Sequence, residues 1–377
     1  MRRSLAVLIL LALPATAAAQ SSQLSARGLG QPGRWLSPRS TATGGAFGMF
    51  DPGSSLNPAA LDQTRTLTAS FMGLQDYRNV ENPSGTASLR DNRFPLVSVA
   101  GPTRRGSLVL GLSYSNYADR DFSFATVDTL DPRGTPVTVF DTLSSRGGIS
   151  DFRIGGSYRL SRSVVGGSFH ILTGSNRLES KRSFEEGTYL PLTEKAEVSY
   201  GGIGVSLGLV RDMGSRLSVA VVARTDGHLD VDKDSTRVGE IDLPATLGLA
   251  ARVQFSSRLT LAGSGVYRTW SASNSDLLAT GAVGSDNTLD LSFGGEFLSD
   301  IRRPTRRPIR FGGHYATLPF LLEVGQQPTE IGVSAGTGMS FAQDRGGIDM
   351  ALEYLWREAG EFKERVFQLS FGVSVRP

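Results

Sequence analysis

One repeated pattern restricts the fold of this chain more than any other feature: long segments in which apolar side chains alternate with small or polar ones. Between Ile331 and Phe341, Gly or Ser separates successive Ile, Val, Ala, Thr, Met and Phe residues. The segments Leu108–Tyr114 and Ile348–Trp356 alternate in the same way with few exceptions. A period of two residues predicts a β-strand with one apolar face. Strands of about ten residues exceed the five or six usual in soluble sandwiches and are typical of membrane barrels.

The pattern recurs often enough to close such a barrel. We predict an all-β fold, a transmembrane antiparallel up-and-down β-barrel of about 14 strands. The predicted strands lie near residues 64–74, 93–101, 106–117, 150–160, 163–174, 196–211, 215–226, 241–255, 258–271, 287–299, 308–317, 329–343, 346–358 and 364–375. An even number of strands is typical of single-chain bacterial barrels.

The predicted connections alternate between short and long. Short turns follow every second strand, at Pro102–Arg105, Ser161–Arg162, Asp212–Gly214, Ser256–Ser257, Asp300–Arg307 and Asp344–Arg345. Longer loops are expected at residues 118–149, 175–195 and 225–240. Outer-membrane barrels have short periplasmic turns and long external loops, so this alternation favours that class.

Aromatic residues near the predicted outer strand ends support the same interpretation. Amphipathic rings prefer the headgroup level of a bilayer, so we expect one interfacial girdle. Its predicted members are Tyr77, Tyr114, Tyr117, Tyr267, Trp270, Tyr315, Tyr354 and Trp356.

The N-terminus predicts export. Arg2 and Arg3 precede an apolar run at Leu5–Leu13, and Ala17–Ala19 forms a small-residue cleavage site, so we expect a signal peptide of residues 1–19. No later stretch is apolar enough for a membrane-spanning helix, so insertion is expected through strands. The chain has no cysteine and 45 glycines among 377 residues, which excludes disulfides and disfavours a helix-rich fold.

Residues Ser25–Leu61 differ from the rest of the chain. They are rich in Gly, Pro, Ser and Thr and show neither a strand period nor a helix period. A long tract of this kind is expected to be a functional loop, a plug or disorder. Phe47, Met49, Phe50 and Leu56 argue against disorder, because a solvated tail does not need large apolar side chains.

The order of motifs in this tract resembles the N-terminal hatch of the FadL/TodX family of outer-membrane transport proteins. The matching residues are Gly28-Leu29-Gly30, Gly44-Gly45-Ala46, Asp51 and Asn57-Pro58-Ala59. Late segments such as Phe293–Phe297 and Pro308–Gly313 also look like that family's strands. The resemblance implies a hatch (plug) of residues 20–61 inside the lumen of a barrel formed by residues 62–377. It also implies passage of hydrophobic molecules and an opening in the barrel wall, which the sequence does not locate.

These observations define the candidate site residues. The hatch or gating candidates are Gly28, Gly30, Gly44, Gly45, Asp51, Asn57, Pro58 and Ala59, and the candidates for hydrophobic ligand contact are Phe47, Met49 and Phe50. For those three, packing of the hatch against the wall is the favoured alternative, and the Asn57 corner could equally be a plain turn. Glycines within strands, such as Gly111, could permit a kink or a side opening.

Other motifs carry less weight. Gly28–Gly33 matches a dinucleotide fingerprint but lacks the strand and helix which that site requires. Asp230, Asp232 and Asp234 lack the remaining ligands of a calcium loop, so a solvated acidic loop is favoured and no metal is assigned. His170 and His314 occupy lumen positions in the predicted strands, which leaves an outer-membrane enzyme as a minor alternative.

We therefore expect an outer-membrane transporter for passive uptake of hydrophobic molecules such as long-chain fatty acids, with no enzymatic activity and no cofactor. The expected partners are outer-membrane lipids, a hydrophobic solute and the barrel assembly machinery, with a monomeric barrel and no nucleic acid. The ending Val375-Arg376-Pro377 lacks the terminal aromatic residue usual for that machinery. The alternatives are a secretion-associated or partner-binding barrel and a polar-solute porin.

Overall fold

The computed structural model describes residues 23–82, 85–104, 106–131, 136–185, 189–302 and 306–376, so the predicted signal peptide lies outside the described residues. The wall strands are β1 Thr68–Asn82, β2 Gly85–Pro102, β3 Leu108–Asp119, β4 Val137–Leu160, β5 Ser163–Phe184, β6 Leu192–Met213, β7 Leu217–Thr225, β8 Thr246–Gln254, β9 Leu259–Arg268, β10 Thr288–Phe297, β11 Arg306–Thr317, β12 Thr329–Phe341, β13 Gly346–Ala359 and β14 Phe362–Val375.

Shorter elements lie inside the wall or at its ends. The short strands are Gln31–Pro32, Phe122–Leu130, His228–Lys233 and Thr236–Asp242. The α-helices are Pro38–Thr41 and Asn274–Ala279, and the 3₁₀-helices are Gln23–Ala26, Pro58–Gln63 and Trp270–Ser273.

Each wall strand pairs antiparallel with its neighbours, and the sheet closes on itself. β14 pairs with β1 from Lys363 opposite Glu81 to Val375 opposite Ala69, so the last strand joins the first. The wall is a closed antiparallel barrel of fourteen strands, which confirms the predicted class and number. Closure removes the open sheet edges that a lipid bilayer does not tolerate.

The two faces of the wall differ as the alternation predicts. In β13, Met350 and Leu352 are 46% and 48% exposed, whereas Ala351, Glu353 and Leu355 between and beyond them are 1–3% exposed. Apolar side chains therefore face outward and polar or small ones face the lumen. This arrangement is the one that a barrel needs in order to sit in a bilayer.

Three strands are much longer than a bilayer requires. β4, β5 and β6 have 24, 22 and 22 residues, whereas a tilted strand crosses a bilayer in about 9–11. The predicted loops at 118–149 and 175–195 are thus largely extensions of these strands, together with Phe122–Leu130, and the loop prediction was wrong there. β4, β5 and β6 stay hydrogen-bonded to one another beyond the part of each strand in which apolar side chains alternate towards the lipid.

The N-terminal segment, residues 23–64, lies inside the barrel. Its side chains and backbone contact inward-facing residues on several sides of the wall. The Gly44 N–H donates to Ser334 Oγ of β12 at 2.8 Å, Arg39 pairs with Glu296 of β10 at 3.0 Å, and Asp62 accepts from Arg159 Nε of β4 at 3.1 Å. The boundary predicted at residue 61 falls within the helix Pro58–Gln63, three residues before the end of this segment.

The predicted aromatic girdle is partly wrong. Tyr77, Tyr267, Tyr315 and Tyr354 are 36–41% exposed on the outer face, as expected. Tyr117 and Trp270 are each 2% exposed and face inward. They belong to an apolar core under the outer loops that also contains Leu29 and Trp35 of the N-terminal segment and Phe320. Position near a strand end does not tell whether a ring faces lipid or lumen.

Helical crossing of a membrane is a separate question. No helix among the described residues is long and apolar enough to span a membrane.

Candidate functional site

One seam of the wall, the line of contact between β2 and β3, is incomplete. Pairing runs only from Leu96 opposite Ser115 to Pro102 opposite Val109, and no pair within the described residues continues it above Leu96. β2 nevertheless continues beside β1 for about ten more residues, towards the connection between β1 and β2. The two strands therefore separate within the upper half of the wall.

A proline and an extra residue cause this separation. Between the pairs Met72/Leu96 and Leu74/Arg93 the register shifts, so Phe94 and Pro95 of β2 lie opposite Gly73 alone. This is a β-bulge, which bends the strand that contains it. Pro95 has no N–H to give to β3, so the strand cannot resume its ladder on that side at this point.

The N-terminal segment binds the edge of β3 that β2 leaves free. Gln31 and Pro32 pair with Asp119 and Ala118 as a short antiparallel strand. The Gly33 N–H donates to the Tyr117 carbonyl at 2.9 Å. The segment thus satisfies backbone groups that would otherwise be orphaned at a gap in the wall.

Trp35 completes this contact from the lumen side. Its indole Nε1–H donates to the Asn116 carbonyl at 2.9 Å. Its ring contacts the Arg224 guanidinium at 4.5 Å and the Tyr117 ring at 5.7 Å. Its backbone has φ = +55°, a left-handed conformation that costs a non-glycine residue about 1–2 kcal/mol. Tertiary contacts therefore hold Trp35 in a position its backbone disfavours.

A small cavity adjoins the gap. It has a volume of about 120 Å³ and is bounded by Gln31–Leu36 of the N-terminal segment, by Arg93, Pro95 and Leu96 of β2, and by Asn116 of β3. Above it, Arg93 Nη1 of β2 pairs with Asp119 Oδ2 of β3 at 2.8 Å. Side chains and the N-terminal segment close the gap that the backbone leaves.

A chain of ion pairs runs along the lumen from Asp119 and Arg93 at the gap to Arg34 of the N-terminal segment and Asp290 of β10. We call the set the ion-pair ladder, and its members are Asp290, Arg34, Glu353, His314, Glu330, Arg357, Glu364, Arg78, Asp76, Arg93 and Asp119. Arg34 lies 3.2 Å from Glu353 and donates to the Gly44 carbonyl at 2.9 Å. Glu353 is 3% exposed and Glu330 is 3% exposed, so these charges depend on their partners.

A second polar cluster lies across the lumen. His170 Nδ1 is 3.0 Å from Asp151, and its Nε2 is 2.9 Å from Ser206 Oγ, which is the connectivity of a Ser-His-Asp triad. Ser206 is only 2% exposed, and Arg224 also binds Asp151 at 2.8 Å. A substrate carbonyl could not reach this hydroxyl, so we interpret the cluster as a buried structural network.

The predicted gating residues all lie in the N-terminal segment. Gly28, Gly30, Gly44 and Gly45 have φ of +50°, +94°, +68° and +104°, so each uses a conformation that disfavours a side chain. A Cβ on Gly30 would lie 2.2 Å from the Asp119 carbonyl oxygen, at the edge of the gap. Of the four, Gly30 is therefore tied directly to the incomplete seam.

Asp51 and the Asn57-Pro58-Ala59 corner have local bonding roles. Asp51 accepts from Ser37 Oγ and, at 2.7 Å, from Ser40 Oγ. Asn57 Oδ1 accepts from the Ala59 N–H at 3.0 Å, and Nδ2 donates to the Met49 carbonyl at 3.1 Å. Pro58 begins the helix Pro58–Gln63, and Ala59 is buried against Gly166 of β5. The corner is a capped helix start, which is compatible with both interpretations of it.

The predicted ligand contacts are in the closed interior. Phe47, Met49 and Phe50 are 3%, 1% and 3% exposed. Met49 and Phe50 pack with Val164, Val210 and Val222 of the wall. None of the three bounds the cavity beside the gap, and their role as ligand contacts stays a prediction.

Sequence reasoning missed the residues of the gap. Gly111, named above as a possible kink, pairs regularly with Ala100 and Gly155. The available signal was Pro95 inside the predicted strand 93–101, because proline in a strand marks an edge or a bulge. Asn116 and Trp35 gave no such signal.

Comparisons with known proteins agree with this architecture. No family model matches the sequence, and no curated protein matches it. Among solved structures, a Pseudomonas aeruginosa FadL homologue superposes with a TM-score of 0.63 at 13% identity, over 92% of this chain and 99% of that one. The chain shares the FadL fold.

Two further structures extend this finding. The CymD monoaromatic hydrocarbon channel gives a TM-score of 0.56 at 18% identity, over 91% of this chain and 97% of that one. The P. putida toluene transporter TodX gives 0.55 at 14% identity, over 91% and 98%. The similarity covers nearly the whole of each protein, at low identity.

Proposed function

We propose that the chain is an outer-membrane channel of the FadL/TodX kind for passive uptake of hydrophobic small molecules, such as long-chain fatty acids. The observation that carries this proposal is the incomplete β2–β3 seam above Leu96, closed from inside by Gln31–Trp35. A wall opening towards lipid suits an apolar solute, because the solute can leave the lumen without crossing water. No bond is made or broken.

The proposed route begins under the outer loops. There the core of Leu29, Trp35, Tyr117, Trp270 and Phe320 provides apolar and aromatic surface inside the lumen. A solute that displaces Trp35 and Gln31–Gly33 from β3 reaches the cavity beside Pro95 and then the bilayer. In this proposal residues 20–61 act as the hatch, and the signal peptide directs the chain to the outer membrane.

A polar-solute porin receives less support. The lumen is polar, but each arginine of the ion-pair ladder is paired with an acid, and the N-terminal segment fills the space between opposite walls. A porin needs a continuous aqueous path. The partner-binding alternative has no specific observation in its favour.

The test is uptake by cells that lack their own transporter of this kind. Radiolabelled oleate and toluene are each supplied to cells with the wild type, with Asn57→Ala/Pro58→Ala, or with no barrel, at equal surface expression. We expect the wild type to raise the initial rate at least tenfold for one of the two solutes, and the hatch variant to change that rate. Arabinose entry into liposomes is measured in parallel, and we expect it to be slow.

Absence of uptake of both solutes by a correctly inserted barrel would contradict the proposal. Fast arabinose entry would favour the porin instead.

A further inference from the structure

A second cavity lies at the opposite end of the lumen, beside the short turns. We call it the lower vestibule. It has a volume of about 630 Å³, within the range of about 300–1,000 Å³ of small-molecule sites. It is bounded by the N-terminal segment, by the first residues of β1 and the last of β14, and by the turn between β12 and β13. Nothing in the proposed side route uses it.

The inner end of the vestibule is apolar. Met72 and Leu96 are each 4% exposed, and Ala100 is 8% exposed. Met72 and Leu96 also bound the small cavity beside the gap. The two cavities are therefore neighbours, separated by these two apolar side chains, of which Met72 is unbranched and flexible.

The outer end of the vestibule is cationic. Arg65, Arg345 and Arg376 line it together with Arg39. The three acids that share the lining have partners of their own: Asp51 accepts from Ser40, Asp349 pairs with Arg310 at 2.6 Å, and Asp344 accepts from Ser340 Oγ. Within the described part of the chain, the guanidinium groups of Arg65 and Arg345 form no ion pair, and both residues are exposed.

From this change from an apolar inner end to a cationic outer end, we propose that the lower vestibule is a binding site for an amphipathic anion. Its apolar part packs on Met72, Leu96 and Ala100, and its carboxylate or phosphate group pairs with Arg65 and Arg345. Arginine suits this role because its planar fork binds such groups through two parallel hydrogen bonds. The proposal rests on the proposed function only for the source of the ligand, which is a transported solute or an anionic lipid.

The site gives a solute a second way out of the lumen. Displacement of Met72 and Leu96 connects the cavity beside the gap with the vestibule, which opens at the end of the short turns. A neutral solute gains nothing from the arginines, so this way favours anions over alcohols or hydrocarbons of the same length.

The test is equilibrium binding to purified protein in nanodiscs of phosphatidylcholine, with cis-parinaric acid as the fluorescent probe. Dodecanoate, dodecyl phosphate and dodecan-1-ol are the competitors. We expect both anions to displace the probe at least tenfold better than the alcohol. Arg65→Gln/Arg345→Gln is expected to remove this preference. Leu96→Trp is expected to weaken the binding of all three competitors, because the larger side chain fills the apolar end.

Arg162→Gln/Arg216→Gln is the matched control, because these exposed arginines lie in other short turns and do not line the vestibule. Equal competition by the alcohol, or an equal loss in the control, would overturn the proposal. Nanodiscs containing phosphatidylglycerol distinguish the ligand sources: competition by this lipid that Arg65→Gln/Arg345→Gln abolishes supports the site with a lipid as occupant. No competition by the lipid supports a transported anion.

The binding and uptake assays fail independently. Loss of cellular uptake with intact anion binding would contradict the proposed function and leave the vestibule site standing. Uptake without anion-selective binding would contradict the vestibule site and leave the proposed function standing.

Discussion

Two seams of the same wall show how differently one barrel can treat its strands. β4 and β5 pair without a register shift from Val139 opposite Phe184 to Leu160 opposite Ser163. Among the described residues, β2 and β3 share only the seven pairs from Leu96 to Pro102. The first seam is completed by backbone alone, and the second is completed by the N-terminal segment and by Arg93 and Asp119. Closure that depends on side chains and a separate segment can be undone without unfolding the barrel.

The inner face repeats this contrast. Beside the continuous seam, glycines allow the N-terminal segment to touch the wall: a Cβ on Gly166 would lie 2.4 Å from the Ala59 nitrogen, and one on Gly208 would lie 1.9 Å from Asn57 Oδ1. Beside the incomplete seam, the contacts are ion pairs, one indole and a two-residue strand. We expect the first side to be fixed and the second side to release.

The largest expected effect comes from deleting Pro95. The deletion removes the extra residue of the bulge while leaving the pairs Met72/Leu96 and Leu74/Arg93 in register. β2 can then continue its ladder to β3, so we expect the uptake rate to fall at least tenfold. The measurement is the initial uptake rate at equal surface expression.

Pro102→Val is the control for the Pro95 deletion, because it removes a proline from the paired end of the same strand. A deletion variant that transports like the wild type would show that the gap is not the route.

Replacing Arg34 by alanine tests the anchor of the N-terminal segment. Glu353 is nearly buried, and removing one partner of a buried ion pair typically costs about 3–5 kcal/mol. We expect the free energy of unfolding in denaturant to fall by this order. We also expect the segment to become sensitive to added protease while the barrel stays intact. Arg216→Ala, at an exposed turn, should change neither quantity, and equal stability of both variants would refute the anchoring role.

Trp35→Ala removes the side chain that covers the gap from inside. Loss of a buried tryptophan costs about 3–5 kcal/mol, and alanine keeps the cost of the left-handed conformation because it also carries a Cβ, so we expect a loss of about 3–5 kcal/mol. The measurement pairs denaturant unfolding with single-channel conductance, which we expect to show more frequent openings. Trp356→Ala on the outer side of β13 is the control. A quiet channel after Trp35→Ala would mean that Trp35 is structural only.

The smallest effect is expected beside the continuous seam. Asn57→Ala loses the cap on Ala59 and the bond to Met49, worth about 1–2 kcal/mol together. Asn57→Ser keeps a capping oxygen and should recover part of this stability. If serine restores stability and transport equally, the corner is a structural turn. A transport defect that persists at restored stability would assign it a gating role.

The barrel could be predicted from the sequence because each strand carries its own evidence. Alternation in Ile331–Phe341 or Ile348–Trp356 depends on neighbouring residues alone, since successive side chains point to opposite faces. Short turns then fixed the strand number and the direction of each connection. The extensions of β4 and β5 were missed because beyond the bilayer neither face is bathed in lipid, so the alternation weakens.

The site could not be predicted to the same degree. Gly30, Gly44 and Asn57 were recognised from a motif order, but their partners Asp119, Gly313 and Met49 are distant in sequence or give no local pattern. Tyr117 and Trp270 were assigned to the lipid interface because strand ends alone do not distinguish inside from outside. Pro95 was readable as an irregularity but not as the position of a gap.

The sequence by itself determined a closed membrane barrel of fourteen strands with a distinct N-terminal segment, because periodicity and turn spacing are local properties. Only the tertiary structure decided where the wall is incomplete and what covers it. The gap exists because β2 bends away at Pro95, and its cover exists because Gln31–Trp35 happen to meet the free edge of β3. Such a meeting of residues some eighty positions apart depends on the path of the whole chain, and no local pattern encodes it.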